Sequence, residues 1–196
     1  MIHRPRSGTR PAGLIARHLD HSVSTARLLL KPIPIRAAAA LPADRATATE
    51  ALDAELSPEW PLPDLLDILP LQATAAPWQQ RRGIHAIVER ATSTVVGDIG
   101  FHGPPDEAGT VEIGYSIVPD RRRRGYATEA AIALTAWALR QRRIRRVTAR
   151  CEAGNVASIR TLERAGFERT GEHDGLIDWQ ATRHSVRSRV PPPAPL

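Results

Sequence analysis

The feature that most constrains the fold is a succession of three strand-like runs that leads into a helix. The runs cover residues 84–90 (IHAIVER), 95–101 (VVGDIGF) and 110–118 (TVEIGYSIV). They are separated by ATST and HGPPDEAG, both of which are typical hairpin connections. The pattern therefore predicts an antiparallel meander. A helix over 127–140 follows it, because apolar residues recur there at helical spacing.

The rest of the chain predicts a single domain built around this meander. The predicted elements are a first strand in 26–35, two short helices in 42–76, a strand at 146–151, a helix at 156–165, and two short strands at 167–170 and 175–179. We expect an α/β (α+β) fold with a mixed, largely antiparallel central sheet of six to seven strands and about four flanking helices. The domain is expected to span 26–183. Residues 1–25 are predicted to be a disordered extension, and 184–196 a flexible tail rich in proline and arginine.

Composition limits the class of protein. With 196 residues and 42% hydrophobic side chains, the chain can bury one core. Its one cysteine, Cys151, excludes an internal disulfide framework and a multi-cysteine zinc site, so no metal and a reducing, cytoplasmic location are expected. No apolar run approaches the length of about 18 residues that a membrane-spanning helix needs. We therefore expect no membrane partner.

The segment RRRRGYATEA, residues 121–130, predicts an anion site. It follows a strand and opens a helix, and free backbone N–H groups at such a helix start bind anions. Gly125 lets the backbone approach a ligand closely. Neither GxxxxGK[ST] nor GxGxxG occurs in the sequence, which excludes the P-loop and the dinucleotide fingerprint.

Several motifs together resemble a known family. RRRGYA, residues 122–127, resembles the [QR]xxGx[GA] coenzyme A pyrophosphate loop of the GNAT acyltransferase superfamily. VEIGYSIVPDRRRRGYATEA, followed by EAGNVASIRTLERAGF at 152–167, is similar to its ribosomal-protein N-acetyltransferase branch. ARLLLKPI resembles the first strand of that branch and DGLIDW its last. The resemblance spans roughly residues 25–180 and is strongest over 111–167.

The resemblance implies an N-acetyltransferase with a GNAT-like fold. Such an enzyme moves an acetyl group from acetyl-coenzyme A (acetyl-CoA) directly to a primary amine, either a protein N-terminal α-amine or a small amine. Backbone groups of Ile117 and Val118 are then expected to pair with the pantetheine arm. The remaining predicted cofactor contacts are Arg122, Arg123, Arg124, Gly125, Tyr126, Ala127 and Thr128 around the pyrophosphate, and Asn155 beyond them.

Glu112 is the sequence's candidate general base. Alternation along the strand places it on the same face as Gly114 and Ser116. A structural, salt-bridged glutamate is an equally good interpretation of the same residue. His102 is a weaker candidate base.

Ser158 is the candidate proton donor to the departing sulfur. It lies one helical turn after Asn155, and both residues could equally serve only to cap the helix. Many family members carry a tyrosine as general acid in YxxxGF, where this chain has Leu162 in TLERAGF. That difference counts against tyrosine acid catalysis at this position.

Two other functions fit parts of the sequence. One is a catalytically degenerate domain that binds coenzyme A as a regulatory ligand, suggested by Leu162. The other is a nucleic-acid or ribosome-binding module, suggested by the net charge of +6. Aromatic residues make up only 4% of the chain, which counts against single-strand nucleic-acid recognition. We expect an amine acceptor as partner and a monomer or homodimer.

Overall fold

The computed structural model describes residues 22–74 and 83–187, which form one mixed sheet with helices around it. The strands are β1 (Val23–Ser24), β2 (Leu28–Pro32), β3 (Glu55–Leu56), β4 (Ile84–Glu89), β5 (Thr94–Phe101), β6 (Thr110–Ile117), β7 (Arg146–Glu152), β8 (Glu168–His173) and β9 (Leu176–Thr182). The helices are α1 (Ile35–Ala40), α2 (Arg45–Leu52), α3 (Pro63–Thr74), α4 (Tyr126–Leu139), α5 (Val156–Arg164) and α6 (Arg183–Arg187), with a 3₁₀ turn at Pro119–Arg121.

The sheet runs in the order β1-β2-β4-β5-β6-β7-β9-β8, and β3 pairs in parallel with β5. The β4-β5-β6 meander is antiparallel, as the sequence predicted. The pairing of β6 with β7 is parallel, because α4 crosses between these two strands. The expected fold class is confirmed.

β6 and β7 separate along their length. They pair only from Thr110 with Arg146 to Glu112 with Thr148. Beyond that point β6 continues to pair with β5 as far as Ile117, and β7 continues with β9. The two strands therefore leave a gap in the middle of the sheet.

The core lies between the sheet and the helices. α4 carries an alanine-rich buried face that includes Ala130, Ala131 and Leu134, and small side chains let it lie close to the strands. α5 begins where Asn155 Oδ1 accepts a hydrogen bond from the Ser158 amide at 3.0 Å, which caps its first turn.

The structure has more elements than the sequence predicted. The additional strands include β1 and β3, each only two residues long, too short for an alternating pattern to indicate them. The two helices expected in 42–76 are α2 and α3. The additional helix α1 precedes them, and no local signal in the sequence indicated it, because α1 begins after Pro34 without a polar N-cap residue.

The domain boundaries remain predictions. Described elements begin at Val23 and end at Arg187, slightly outside the expected 26–183. Residues 1–21 of the expected extension and 188–196 of the expected tail lie outside the described residues. Within the described ranges, no helix combines the length and apolar character that crossing a membrane requires.

Candidate functional site

The loop between β6 and α4 ends in a helix start whose amides are free. Gly125 is the N-cap, with φ of +80°, and no side chain caps the helix. The backbone N–H groups of Gly125, Tyr126, Ala127 and Thr128 have no acceptor within the part of the chain that the structure describes. Four such donors at a positive helix end favour an anion. The loop lies between a strand and a helix, as the sequence predicted.

The loop backbone alternates in handedness. Arg123 has φ of +61° and Gly125 has φ of +80°, whereas Arg124 between them is not in the positive region. Alternation of this kind turns successive N–H groups toward one side and forms an anion-binding nest. Among the four arginines, only Arg123 takes up the left-handed conformation, which is costly for a residue with a Cβ.

The four arginines have different partners. Arg121 forms an ion pair with Glu89 at 3.0 Å. Arg122 donates from Nε to the Ile117 carbonyl at 2.9 Å, and Arg124 donates from Nη2 to the Asp120 carbonyl at 3.1 Å. The Arg123 guanidinium is exposed and has no partner within the described ranges. Arg121 therefore supports the fold, while Arg122, Arg123 and Arg124 remain candidates for anion contacts.

A tether that the sequence analysis missed holds the loop. Glu129 accepts from Thr25 Oγ1 at 2.6 Å and from Arg27 Nε at 2.7 Å. Arg27 also donates to the Arg124 carbonyl at 2.9 Å, and its guanidinium lies 4.9 Å from the centroid of the Tyr126 ring. Burial raises the pKa of Glu129, but the hydrogen bonds from Thr25 and Arg27 outweigh it and lower that pKa overall.

Tyr126 faces the core rather than the loop surface. Its ring is buried, and its hydroxyl donates to Glu89. This hydrogen bond lowers the pKa of Glu89, with further contributions from Thr92 and Arg121. Any contact of Tyr126 with a ligand in the loop would therefore use its backbone amide.

The exposed edge of β6 faces the gap. Val118 donates its N–H to Val96, and the Glu112 carbonyl accepts from His102, so even-numbered residues of β6 bond toward β5. By alternation, the backbone groups of Ile113, Tyr115 and Ile117 point into the gap. Both backbone groups of Val118 are used inside the protein, since its carbonyl accepts from the Arg121 amide. Of the two predicted pantetheine contacts, Ile117 alone has a backbone amide that faces the gap.

Asn155 and Ser158 lie at the start of α5, which follows β7, the second strand that borders the gap. The Tyr115 hydroxyl reaches across from β6 and donates to the Ser158 carbonyl at 3.4 Å. Burial raises the pKa of Tyr115 to about 12, so its hydroxyl stays protonated at neutral pH. Asn155 caps α5 with Oδ1, which leaves its amide group exposed. Leu162, at the position of the family tyrosine, is fully buried.

Glu112 is held by Arg150, and the His102 ring lies beside it. Its two carboxylate oxygens accept from Nε and Nη2 of Arg150, each at 3.1 Å. His102 Nδ1 lies 3.4 Å from Oε1 of the same carboxylate. Glu112 does share a sheet face with Gly114 and Ser116, as predicted, but the structural, salt-bridged interpretation describes its contacts well.

Asp98 is a buried carboxylate that the sequence analysis did not select. Its Oδ2 accepts from the Trp60 indole N–H at 3.0 Å and from Ser116 Oγ at 2.7 Å. Burial raises the pKa of Asp98 to about 6, although both hydrogen bonds act in the opposite direction. The signal available in the sequence was an aspartate in the middle of the apolar strand VVGDIGF.

Asp98 lines a cavity of about 740 Å³ beside the gap. Ser116 pairs with Asp98 across the two strands, and Gly114 pairs with Gly100. A Cβ on Gly114 would lie 2.5 Å from His102 Nε2, so glycine leaves room for that ring. Leu65 and other side chains of α3 form a further wall.

These features fit acetyl-CoA better than an arbitrary anion. The free amides at Gly125 suit a pyrophosphate, and the gap beside Ile117 gives an extended amide-bearing arm a strand edge to pair with. The cavity near Asp98 leaves space for a second substrate. No group of three or more His, Cys, Asp or Glu side chains in the described ranges could hold a metal.

Comparison with known proteins gives a consistent result. The family model described as "Acetyltransferase (GNAT) domain" matches residues 27–168. A relative from Bacillus subtilis (strain 168), "Uncharacterized N-acetyltransferase YjdG", is 36% identical over 148 residues, which cover 74% of this chain and 88% of the relative.

Solved structures share the fold at low sequence identity. RimJ of Mycobacterium smegmatis, in complex with CoA-disulfide, is 20% identical with a TM-score of 0.59, and the match covers 85% of this chain and 89% of RimJ. The Microcin C7 self immunity acetyltransferase MccE, in complex with acetyl-CoA and AMP, is 17% identical with a TM-score of 0.57, covering 81% and 93%. Because the family match takes in the meander, the arginine loop and α5 together, the chain belongs to the GNAT acetyltransferase family.

Proposed function

We propose that this acetyl-CoA-dependent acetyltransferase moves the acetyl group directly onto a primary amine, either the α-amine of a protein N-terminus or a small amine. One observation carries the proposal. The free amides at the start of α4 lie at the end of the strand edge that β6 exposes, so one extended ligand can use both. The cavity beside Asp98 then receives the amine.

The loop holds the diphosphate and the strand edge holds the arm. Amides of Gly125 to Thr128 donate to the pyrophosphate oxygens, and Arg122, Arg123 and Arg124 supply positive charge around them. The Ile117 amide pairs with the pantetheine arm, and Asn155 contacts the arm from the start of α5. Acetyl-CoA supplies the acetyl group as a reactive thioester.

Direct transfer is supported by the state of the one cysteine. Cys151 is buried and its Sγ accepts a hydrogen bond from the Trp179 indole at 3.3 Å. A buried thiol in such surroundings is a poor nucleophile. The amine itself therefore attacks the thioester, and Ser158, at the gap, donates a proton to the departing sulfur.

A thiol-release assay tests the proposal. Acetyl-CoA is offered together with N-terminal peptides and small amines, and coenzyme A binding is measured by calorimetry on the same protein. We expect saturable binding and amine-dependent thiol release. Binding without thiol release over the whole panel would indicate the degenerate regulatory domain, and the absence of coenzyme A binding would refute the proposal itself.

A nucleic-acid-binding function is the weaker candidate. It predicts polynucleotide affinity that falls steeply with salt. Arg121 of the loop is ion-paired with Glu89, which reduces the positive charge that the loop can offer to a polynucleotide.

A further inference from the structure

We propose that Asp98 binds the primary ammonium group of the acceptor and accepts its proton, and that the acceptor carries this group on an apolar skeleton. The inference rests on the proposed function, since it names the acceptor class and the group that receives it. It concerns a residue of β5, on the side of β6 that faces away from the gap.

The two carboxylate oxygens of Asp98 differ in their hydrogen-bond partners. Oδ2 takes both hydrogen bonds, from Trp60 and from Ser116. Oδ1 has no partner among the described residues, and it is not sealed from solvent, although the residue as a whole is only 8% exposed. One oxygen of the carboxylate is thus fixed by two hydrogen bonds, and the other, on a residue that lines the cavity, has no described partner. A buried carboxylate oxygen without a partner is stabilised by a hydrogen-bond donor, and most strongly by a positively charged one.

Asp98 is within reach of the reacting atoms. Ser116, which donates to it, directly precedes Ile117, whose backbone faces the gap. Asp98 and the gap therefore lie on either side of a single strand, and adjacent strands are about 4.8 Å apart. A thioester paired with the edge of β6 would lie two strand spacings, about 10 Å, from the β5 backbone, a distance that the Asp98 side chain and the bound amine together must span.

The charges around the cavity favour a cation. Its titratable lining consists of Asp98 from β5, Asp64 from α3, Tyr115 from β6 and His102 after β5. The described lining contains no lysine or arginine. The Asp64 charge adds to burial in raising the pKa of Asp98, and a bound ammonium would relieve both effects.

The walls of the cavity favour an apolar carrier for that cation. They include Leu65 and Ile68 of α3, Phe101 of β5, and Trp137 of α4. Phe101 and Trp137 stack with ring centroids 6.3 Å apart. Two carboxylates within a mainly apolar lining match one ammonium on a hydrocarbon or aromatic group, as in an arylalkylamine or an apolar N-terminal residue.

Asp98 is better placed for this role than Glu112. Arg150 engages both oxygens of Glu112, so proton uptake there would disrupt a bidentate ion pair. Asp98 has no cationic partner among the described residues. A pKa of about 6 leaves it mostly ionised at neutral pH and still able to take a proton.

The proposed transfer conserves atoms and charge. The ammonium gives one proton to Asp98 Oδ1 and becomes a neutral amine. The amine nitrogen forms a bond to the acetyl carbon, the carbon–sulfur bond breaks, and sulfur leaves with the electron pair. The second nitrogen proton ends on that sulfur through the donor at the gap, and Asp98 returns its proton to solvent through the cavity.

The test uses thiol release from acetyl-CoA with three acceptors: 2-phenylethylamine, the dipeptide amide Ala-Phe, and spermidine as a polar polycation. Asp98→Asn keeps an oxygen for Trp60 and Ser116 but cannot take the proton. Asp67→Asn, the same substitution at an exposed site on α3 outside the cavity, is the matched control. Glu112→Gln tests the rival base.

We expect Asp98→Asn to lower kcat/KM for the two apolar amines about 100-fold, the lower range for loss of general base catalysis. Asp67→Asn should stay within about twofold, as for other exposed sites. Coenzyme A affinity should be unchanged in every variant. In the wild type, kcat/KM should rise through an ionisation near pH 6 and then level off. Because this pH profile is measured on the wild type, it does not depend on whether any variant folds.

Four outcomes would overturn the inference. The first is near-normal turnover by Asp98→Asn, and the second is a larger loss of kcat/KM in Glu112→Gln than in Asp98→Asn. The third is a wild-type enzyme that prefers spermidine or turns over neither apolar amine. The fourth is a wild-type kcat/KM that keeps rising with pH toward the pKa of the acceptor amine instead of levelling off. If the wild type binds no coenzyme A, the proposed function fails instead, so the two failures are distinguishable.

Discussion

Arg27 and Glu129 lie 102 residues apart in the chain and join the first hairpin to the first turn of α4. The Arg27 backbone N–H and its Nε each donate to a different oxygen of the Glu129 carboxylate, at 2.9 and 2.7 Å. Arg27 also donates from Nη1 to the Arg124 carbonyl in the loop. The anion site is therefore held in shape by a residue outside it.

Removing this tether should destabilise the protein in a pH-dependent way. The folded-state pKa of Glu129 is lowered, so its contribution is complete above the unfolded value near 4.5 and is lost as the pH falls through the folded value. Glu129→Gln should cost about 1 kcal/mol at pH 7.5, in line with a partly exposed charged hydrogen bond. Melting temperatures from pH 3.5 to 7.5 check this. The difference from the wild type should shrink below pH 4.5, and an equal difference at all pH values would contradict it.

Glu50→Gln is the matched control for this experiment. Glu50 pairs with Arg36 at 3.0 Å, and both side chains are more than 60% exposed. Surface ion pairs of this kind contribute little, so its melting temperature should follow that of the wild type.

Gly125→Ala should reduce coenzyme A affinity. An alanine at φ of +80° costs about 1–2 kcal/mol in backbone strain. The loop will relax to relieve it and move the free amides. Gly175→Ala is matched to it, because Gly175 has φ of +77° in the β8–β9 turn with open space at the Cβ position. Calorimetry should show an affinity loss of about tenfold for the first and none for the second. Equal affinities would contradict an anion site at this helix start.

The arginines should separate into two groups. Arg122→Gln and Arg124→Gln should each weaken coenzyme A binding about tenfold, since each removes a charged donor worth about 1.5 kcal/mol. Arg121→Gln should leave binding unchanged but lower the melting temperature, because Arg121 pairs with Glu89. A binding loss in Arg121→Gln as large as in the other two would mean that the run acts as an undifferentiated patch of charge.

The strands and helices from 84 to 182 could be predicted because local signals agree there. Alternation, turn residues and the caps at Gly125 and Asn155 all indicate the same boundaries, and the loop motif lies where they meet. The gap between β6 and β7 could not be predicted from β6 alone, since it depends on which partner each strand keeps beyond Glu112.

Contacts between distant segments account for most of what the sequence analysis missed. Asp98 depends on Trp60, 38 residues away, and on a strand partner, and neither relation leaves a local pattern. Glu112 shows the reverse case. Its face was predicted correctly, yet Arg150 on β7 determines which groups its carboxylate contacts.

Asp98 should make the protein less stable as the pH rises. Its folded-state pKa of about 6 lies above the ordinary value of 3.8, so the folded state binds the proton more tightly than the unfolded state does. That stabilisation is present at low pH and is lost as the pH rises through 6. Asp98→Asn, which remains uncharged, should therefore gain melting temperature relative to the wild type between pH 5 and pH 8. A constant difference over this range would mean that Asp98 titrates normally.

Proton donation to the departing sulfur should depend on the hydroxyl of Ser158. Ser158 lies at the gap on the first turn of α5, and Tyr115 approaches the same place from β6. Ser158→Ala should lower kcat about tenfold with little change in KM, because the interaction forms only as the sulfur becomes negative. Tyr115→Phe removes a hydroxyl that already donates to the Ser158 carbonyl, so it should lower the melting temperature and change kcat little. With the two variants assayed on one acceptor, a greater kcat loss in Tyr115→Phe would transfer the role to that tyrosine. Its burial-raised pKa of about 12 still allows it to act as a donor.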